Sequence, residues 1–412
     1  MQSLNKKQII VIGAGPAGLM AAEHAISADI SVDVYDAMPS VGRKFLLAGK
    51  SGMNLTHAEA HENLLSRYSD SSSQLEAALN AFPATVIRDW ADSLGIPTFI
   101  GSSQRVFPID MKAAPLLRAW LHRLRESGVK FHMRHKWQGW SEKGHVFHSP
   151  EGVKNVNADA CIFAFGGASW RRLGSDGAWL TPFQNNQLSI TPFEASNCGF
   201  ELVWTDYFKQ NFAGKPLTSV SASIVTESGL TQKRQGQFVI SDTGVEGSLI
   251  YALSSQIREQ IRNTGSCDLL IDLLPGRELE RVQRELSSPR GSRSLSSHLR
   301  SKLGLHPIHT ALVYECLEST QIQDVQQLAL ALKAMPLRLL RARPIDEAIS
   351  SAGGLNWSEL DEHFMLKKMP GHFCAGEMLN WDAPTGGYLL SACFATGAAG
   401  AQGAIKWIKQ QG

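Results

Sequence analysis

Cysteine is scarce in this sequence, and the cysteines that occur are not spaced as pairs. There are six in 412 residues, and none belongs to a C-x-x-C motif. This spacing argues against a disulfide framework, a dithiol redox centre and a structural zinc site. The histidines also do not stand at metal-ligand spacing with matching acids, so we predict that no metal is bound. Sparse, unpaired thiols fit a reducing compartment, and we predict a cytoplasmic protein.

The chain also lacks a large excess of charge and a long apolar run. Its 40 Lys and Arg residues nearly balance 38 Asp and Glu residues, which gives a formal net charge of +2. That balance argues against bulk electrostatic binding to a nucleic acid duplex or an anionic membrane, and leaves room for a local basic patch. No stretch reaches the roughly 18 continuous apolar residues that a membrane span needs. The length and the 43% hydrophobic fraction indicate a globular protein with two or three domains.

A strand, a glycine-rich turn, a helix and a second strand are predicted over residues 8–36, with the turn GAGPAG at 13–18. Gly13 permits a tight turn, Gly15 lets a pyrophosphate approach the backbone, and Gly18 lets the helix pack closely on the sheet. The helix N-terminus offers free N–H groups and a positive dipole end to phosphates. Asp36 ends the second strand, where a carboxylate accepts both ribose hydroxyls and repels a 2′-phosphate. The pattern predicts a dinucleotide site that does not take NADP. A purely structural glycine-rich turn is the alternative.

Two further segments are expected to approach the same ligand. Residues 37–57 form a long stretch rich in Gly, Ser and Asn, which predicts a functional loop. Arg43 and Lys44 in this stretch would lie near phosphate groups, with a solvated loop as the alternative. Further on, the apolar run at 158–165 leads directly into Gly166 and Gly167. This is typical of a buried parallel strand whose carboxyl end meets a ligand.

The C-terminal tail indicates which dinucleotide is bound. Flavoproteins of the glutathione-reductase type hold the ribityl chain of FAD with a strand that ends in Gly-Asp or Gly-Glu. The helix that follows points its N-terminus at the flavin. Residues 373–377 (FCAGE) and 385–388 (TGGY), the latter opening a long helical pattern, fit that arrangement. The sequence therefore predicts FAD. No second glycine fingerprint is visible, so we expect no separate NAD(P)H domain, and NAD(P)H remains an option as a transient reductant.

Seven short motifs resemble the BaiN/RdsA-like (YhiN-type) NAD(P)/FAD-dependent flavoproteins, a family related to bacterial aminoacetone oxidase. They are GAGPAG, GRKFLLAGKSGMNLTH at 42–57, RVFP at 105–108, FGGAS at 165–169, AGG at 352–354, AGE at 375–377 and TGGY at 385–388. The resemblance implies an α/β fold with a discontinuous, glutathione-reductase-type FAD-binding Rossmann-like domain at 1–190 and 345–412. It also implies a small β-barrel-like insert at 191–248 and 333–344, and a helical insert at 249–332. The strand patterns at 217–240 and the helical patterns from 247 agree with this order.

The resemblance also implies a set of cofactor contacts. The expected cofactor-binding residues are Gly13, Ala14, Gly15, Pro16, Ala17, Gly18, Asp36, Ala37, Gly42, Arg43, Lys44, Asn54, Leu55, Trp137, Ala164, Gly166, Gly167, Gly376, Glu377, Gly386, Gly387, Tyr388 and Leu389. No catalytic residue is identified. The candidates for positions near the flavin ring are Lys50, Asn54, His57 and Arg105, and structural support of the loop is the alternative role.

The expected function is hydride transfer between flavin N5 and an organic substrate. Members of the resembled family have been tied to amine oxidation, to reduction of steroid double bonds and to reduction of uridine in ribosomal RNA. Residues 49–54 (GKSGMN) depart from the GGGRCN-like turn of many members, which leaves the substrate open. Residues 277–302 carry seven basic and three acidic side chains, as expected of an RNA-facing surface or of an ordinary solvated helix. The partner is thus a small molecule or an RNA nucleotide, and a flavin-binding redox sensor is the non-enzymatic alternative.

Overall fold

The computed structural model describes residues 6–27, 29–48, 52–226, 229–231 and 233–411. The chain forms two compact units, the first from residues 1–194 and 349–412 and the second from residues 195–348. A parallel Rossmann-like sheet, antiparallel sheets and helices confirm the predicted α/β fold class. The predicted division of the middle of the chain into a barrel-like insert and a helical insert stays a prediction.

The first unit contains the glycine-rich turn and the C-terminal tail. Its strands are β1 (Lys7–Ile12), β2 (Ile30–Asp36), β3 (Thr56–His57), β4 (Thr98–Ile100), β5 (Arg105–Pro108), β6 (Lys130–Met133), β7 (Lys136–Ser141), β8 (Gly144–Ser149), β9 (Gly152–Val156), β10 (Ala160–Phe163), β11 (Ile190–Ser196), β20 (Ser350–Leu355) and β21 (His372–Cys374). Its α-helices are α1 (Pro16–Ala25), α2 (Arg43–Leu47), α3 (His61–Ser66), α4 (Ser72–Ala81), α5 (Ala84–Ser93), α6 (Ala113–Glu126), α7 (Leu180–Asn185) and α16 (Tyr388–Gln411). Short 3₁₀ helices occur at Ser69–Ser71, Arg171–Leu173, Trp357–Glu359 and Gly376–Met378.

A parallel sheet with the strand order β21-β10-β1-β2-β6 forms the centre of this unit. Strand β1 lies between β10 and β2, and its Ile10 pairs with Cys161 on one side and Asp33 on the other. Residues 9–12 are almost completely buried, as is typical of an inner parallel strand. Strand β21 comes from the end of the chain and pairs with β10. The carboxyl ends of β1, β10 and β21 therefore meet at one edge of the sheet.

Helices α1 and α16 pack closely because small residues lie where their backbones approach. A Cβ on Gly397 would lie 2.3 Å from the carbonyl oxygen of Ala17. A Cβ on Gly403 would lie 2.5 Å from the carbonyl oxygen of His363. These distances leave room for hydrogen only, so glycine is required where α16 packs on α1 and on the segment at His363. Within the described part of the chain, no helix combines the length and apolarity that crossing a membrane requires.

Smaller antiparallel sheets flank the parallel one, in the orders β3-β5-β4 and β7-β8-β9, and β11 pairs with β20.

The stretch at 37–57, predicted as a loop, differs from that prediction because it contains α2. Gly42 precedes this helix with φ of 67°, and Phe45 is the buried residue of the helix. A left-handed glycine lets the chain reverse directly into the helix. Lys50 lies outside the described residues.

The second unit is built on one antiparallel sheet. Its strands are β12 (Phe200–Glu201), β13 (Pro216–Thr226), β14 (Gly229–Leu230), β15 (Arg234–Ser241), β16 (Gly244–Glu246), β17 (Cys267–Asp272), β18 (Met335–Leu339) and β19 (Arg341–Ala342). Its helices are α8 (Asp206–Phe212), α9 (Ser248–Ala252), α10 (Ser254–Thr264), α11 (Leu279–Leu286), α12 (Leu295–Leu303), α13 (Pro307–Cys316), α14 (Ser319–Gln323), α15 (Val325–Lys333) and the 3₁₀ helix Ile345–Glu347.

The sheet of the second unit runs in the order β18-β17-β13-β15-β16-β12-β19, and β14 pairs with β13. Its two edge strands, β18 and β19, are separated along the chain only by Leu340. The end of β18 and the start of β19 therefore lie next to each other along the chain. Strand β17 falls inside the range 249–332, where helical patterns had been predicted. Its six residues pair with β13 and β18, and this pairing between distant segments outweighs the helical preference of the surrounding sequence.

Candidate functional site

A cleft of about 340 Å³ opens at the carboxyl-end edge of the parallel sheet in the first unit. Its walls come from the turn after β1, the end of β2, the start of α2, the end of β10 and the turn after β21. Ligands of open α/β sheets bind at this edge, outside the carboxyl ends of the strands. The volume lies within the range of about 300–1,000 Å³ that is typical of small-molecule sites. This cleft is therefore the candidate site.

The three glycines of the turn after β1 differ in their surroundings. Gly13 has φ of 112°, and a Cβ there would lie 2.2 Å from the carbonyl oxygen of Ala164. A Cβ on Gly18 would lie 1.8 Å from the carbonyl oxygen of Gly13. A Cβ on Gly15 would meet nothing within 4 Å. Gly13 and Gly18 thus allow neighbouring backbone segments to pack closely, whereas Gly15 leaves open space beside the cleft.

The start of α1 offers unpaired donors at the same place. Its N-cap is Gly15, without a capping side chain, and Pro16 follows as the first helical residue. The first intrahelical hydrogen bond runs from Leu19 N to Gly15 O at 2.9 Å. The N–H groups of Ala17 and Gly18 therefore precede the helical ladder. Free N–H groups and the positive dipole end form a site suited to an anion.

Asp36 lies at the end of β2 and lines the cleft. Its Oδ2 accepts a hydrogen bond from Ala14 N, and its Oδ1 accepts one from Met38 N, each at 2.7 Å. Burial raises the pKa of this carboxyl, and the two backbone hydrogen bonds oppose that rise. Each oxygen retains a further lone pair. The geometry is thus compatible with ribose binding, and that role stays a prediction.

A partly buried ion pair joins the N-terminal and C-terminal parts of the cleft. Lys44 Nζ lies 2.7 Å from Glu377 Oε2 and also donates to Ser169 Oγ at 2.8 Å. The other carboxylate oxygen of Glu377 accepts from Ser351 N at 2.9 Å. Ser351 Oγ in turn accepts from the N–H of Ala168 at 2.9 Å. Lys44 had been predicted beside phosphate and Glu377 beside the ribityl chain, and the structure shows that they neutralise each other.

Most of the predicted cofactor-binding residues line this one cleft. Those that do are Gly13, Ala14, Gly15, Pro16, Ala17, Asp36, Ala37, Gly42, Arg43, Lys44, Trp137, Ala164, Gly166 and Glu377. The residues that lie outside its lining are Gly18, Asn54, Leu55, Gly167, Gly376, Gly386, Gly387, Tyr388 and Leu389. Gly167 and Gly376 lie directly behind the lining. A Cβ on Gly167 would lie 2.4 Å from Ser351 Oγ, and one on Gly376 would lie 2.6 Å from Ala17 Cβ.

The TGGY segment and the candidates for the flavin ring lie around β3. The Tyr388 ring stacks on His57, and its hydroxyl bonds to Glu59. Asn54 Nδ2 donates to the carbonyl oxygens of Thr56 at 2.9 Å and Val106 at 3.1 Å. Arg105 belongs to β5, which pairs with β3. These contacts give the group structural roles, and none of its described members lines the cleft.

Several residues of the cleft were not predicted from the sequence. Ser175 and Trp179 line it, and Ser175 Oγ is buried without a hydrogen-bond partner among the described residues. Cys393 of α16 also lines it, and burial raises the pKa of this thiol to about 12. The thiol is therefore protonated near neutral pH and is a poor nucleophile. No spacing signal in the sequence marks these positions, because they come from segments that meet only in the fold.

The chemistry of the lining matches a dinucleotide diphosphate. Gly15 leaves space next to the backbone, and the N–H groups of Ala17 and Gly18 at the start of α1 have no backbone acceptor among the described residues. Arg43 Nε is also buried without a partner among the described residues. Unpaired donors and a cation in a cleft are what a bound diphosphate would satisfy. The residues therefore fit FAD, and the placement of its diphosphate at the turn and of its adenosine ribose at Asp36 stays a prediction.

The fold and site define an FAD-dependent oxidoreductase of the Rossmann-like type. A model of the HI0933-like protein Rossmann domain matches residues 7–403, and the chain belongs to this family. The match agrees with the flavoprotein resemblance drawn from the motifs.

One solved structure illustrates the likeness of the fold, and a second is similar to a lower degree. 3-Ketosteroid delta1-dehydrogenase from Sterolibacterium denitrificans superposes with a TM-score of 0.54 at 11% identity, over 98% of this chain and 100% of that chain. 3-Ketosteroid-delta4-(5alpha)-dehydrogenase from Rhodococcus jostii RHA1 superposes with a TM-score of 0.49 at 14% identity, over 98% of this chain and 97% of that chain. At 11% identity, the likeness to the Sterolibacterium denitrificans enzyme shows a shared fold and nothing about activity.

Proposed function

We propose that this FAD-dependent oxidoreductase transfers a hydride between flavin N5 and a small organic substrate, and that NAD(P)H visits transiently to reduce the flavin. The observation that carries the proposal is the cleft at the sheet edge, which joins the glycine turn, Asp36 and the Lys44–Glu377 pair. The sequence contains one glycine fingerprint, which this cleft uses. A nicotinamide therefore has no dedicated Rossmann site of its own and would bind on the substrate side.

The residues of the chain bind and orient the cofactor. When bound, FAD supplies the two-electron chemistry. The N–H groups at the start of α1 and the guanidinium of Arg43 would offset the charge of the diphosphate. Asp36 would accept the ribose hydroxyls, and Glu377 would contact the ribityl chain while Lys44 holds its carboxylate in place.

The test is anaerobic mixing of the purified, FAD-loaded protein with NADH and, separately, with NADPH, followed through the visible absorption of the flavin. Rapid bleaching by either nucleotide is the expected result. If neither nucleotide bleaches the flavin and an amine does, with hydrogen peroxide released in air, the amine-oxidase alternative replaces the proposal. If no reductant or substrate changes the visible absorption of the flavin, the result favours the redox-sensor alternative.

The RNA-reductase alternative depends on the basic segment at 277–302 in the second unit. Arg277 and Arg281 both pair with Glu285, and Arg281 Nε lies 2.9 Å from its Oε1. Arg293 donates to the main-chain oxygen of Arg290 at 3.1 Å. These contacts engage part of the positive charge and favour a solvated helical surface. RNA binding that weakens steeply with salt would revive the alternative.

A further inference from the structure

A second cavity, of about 310 Å³, lies in the first unit between β3, α4 and α5. Most of its surface is apolar, with walls that include Leu64, Leu79 and Phe82. Ser391 of α16 lines this cavity, and Cys393, two residues further along the helix, lines the cofactor cleft. The proposed hydride transfer assigns no role to this second cavity.

Arg88 is the cationic residue of the cavity wall, and its charge has no acidic partner among the described residues. Its Nε donates to Thr98 Oγ1 at 3.0 Å, and its Nη2 donates to the carbonyl oxygen of Thr98 at 3.5 Å. It forms no ion pair with any residue in the described part of the chain. A partly buried guanidinium beside apolar walls is costly unless an anion completes its hydrogen bonding.

Further donors are present on the same walls. Helix α5 begins after Pro83, which offers no capping side chain, and its first hydrogen bond runs from Ile87 N to Pro83 O at 3.1 Å. Ala84 and Thr85 line the cavity, and their N–H groups precede the first hydrogen bond of the helix. His61 also lines the cavity, and its Nε2 is shut off from solvent without a partner among the described residues.

The remaining charged and titratable residues of the cavity are already compensated. Glu59 pairs with Arg67 through distances of 3.1 Å and 2.7 Å, and it also bonds to the Tyr388 hydroxyl. Burial lowers the pKa of His57, whose Nδ1 accepts from Glu59 N at 3.3 Å. His57 is therefore neutral near pH 7. Of the described charged residues on these walls, Arg88 carries the charge that no neighbour offsets.

We propose that this cavity binds a small monocarboxylate with an apolar body. The carboxylate would bind Arg88 beside the start of α5, because a guanidinium and free N–H groups are donors suited to a carboxylate. The hydrocarbon would pack on Leu79 and Phe82, because apolar walls favour a carbon body over an inorganic anion. This site is separate from the proposed hydride transfer and does not depend on it.

The test is calorimetric titration of the FAD-loaded protein with hexanoate, hexanamide and inorganic phosphate. Hexanoate is expected to bind saturably. The loss of a charge-assisted hydrogen-bonded pair predicts that Arg88→Gln and the neutral hexanamide each weaken binding by about 10- to 100-fold. Arg88→Lys should keep part of the affinity, because it keeps the charge. Arg118→Gln is the matched control, because Arg118 is exposed on α6, does not line the cavity and should leave the affinity unchanged.

A second variant keeps the proposal testable if Arg88→Gln does not fold. Ala84 lines the cavity, so Ala84→Phe puts a large side chain on its wall and leaves Arg88 intact. This variant should abolish hexanoate binding while FAD stays bound. The proposal is overturned if wild-type protein shows no saturable hexanoate binding, if Arg88→Gln binds hexanoate like wild type while retaining FAD, or if phosphate displaces hexanoate at equal concentration.

Discussion

Replacing Gly15 and Gly18 separately by alanine should separate cofactor binding from folding, although both glycines belong to the same turn. A Cβ at position 15 meets nothing within 4 Å, and the backbone there has φ of −85° and ψ of −174°, which alanine adopts easily. A Cβ at position 18 would lie 1.8 Å from the carbonyl oxygen of Gly13, which is backbone and cannot rotate away.

The expected magnitudes follow from these surroundings. Gly18→Ala must push α1 away from the turn, and overpacking of this kind costs about 1–3 kcal/mol of unfolding free energy. For a unit of this size each kcal/mol lowers the melting temperature by about 2–4 °C. Gly15→Ala should leave the melting temperature of the FAD-free protein within about 2 °C of wild type. Its methyl group would occupy the path of the diphosphate, so we expect the Kd for FAD to rise by at least about tenfold, or 1.4 kcal/mol.

The assay pairs thermal denaturation of the FAD-free proteins with titration of FAD, followed through quenching of flavin fluorescence. Normal FAD affinity in Gly15→Ala would show that the diphosphate does not approach this part of the turn, and the placement of the cofactor would be wrong. A wild-type melting temperature in Gly18→Ala would refute the packing argument.

Three further predictions concern charged and titratable groups of the first unit. Lys44→Met leaves the Glu377 carboxylate nearly buried and unpaired, so it should lower the free energy of unfolding in urea by about 3 kcal/mol, and the double variant with Glu377→Gln should recover most of this loss. Asp36→Asn should weaken FAD binding in the same fluorescence titration and should also lower the melting temperature of the FAD-free protein, because an amide can accept only one of the two hydrogen bonds from Ala14 N and Met38 N; unchanged affinity would contradict the ribose role. Burial lowers the pKa of His145 to about 3, so the unfolded chain takes up its proton first as the pH falls below about 6.5. The contribution of this group to the free energy of unfolding is therefore complete above that pH. About 2 kcal/mol of that free energy should be lost between pH 7.5 and pH 5. Urea denaturation at both pH values should show a smaller loss for His145→Gln; an equal loss would assign the effect to other groups.

Local patterns in the sequence predicted the architecture of the cofactor site. The strand–turn–helix at 8–25 and the acid at the end of β2 depend on interactions between near neighbours, and the structure places them as expected. Strand β21 and helix α16 were also expected from their local patterns. The strand β17 was not, because six residues among helical segments become a strand only when β13 and β18 flank them.

The sequence by itself determined that this chain folds around a dinucleotide, since glycine geometry, helix dipoles and strand alternation act over a few residues. The tertiary structure decided which side chains share a site. Lys44 and Glu377 are 333 positions apart, and their pairing exists because β21 joins the parallel sheet next to β10. The cavity around Arg88 likewise forms only where β3, α4 and α5 meet. Electrostatic and packing contacts act through space, and their partners become defined only when distant segments are brought together by the fold.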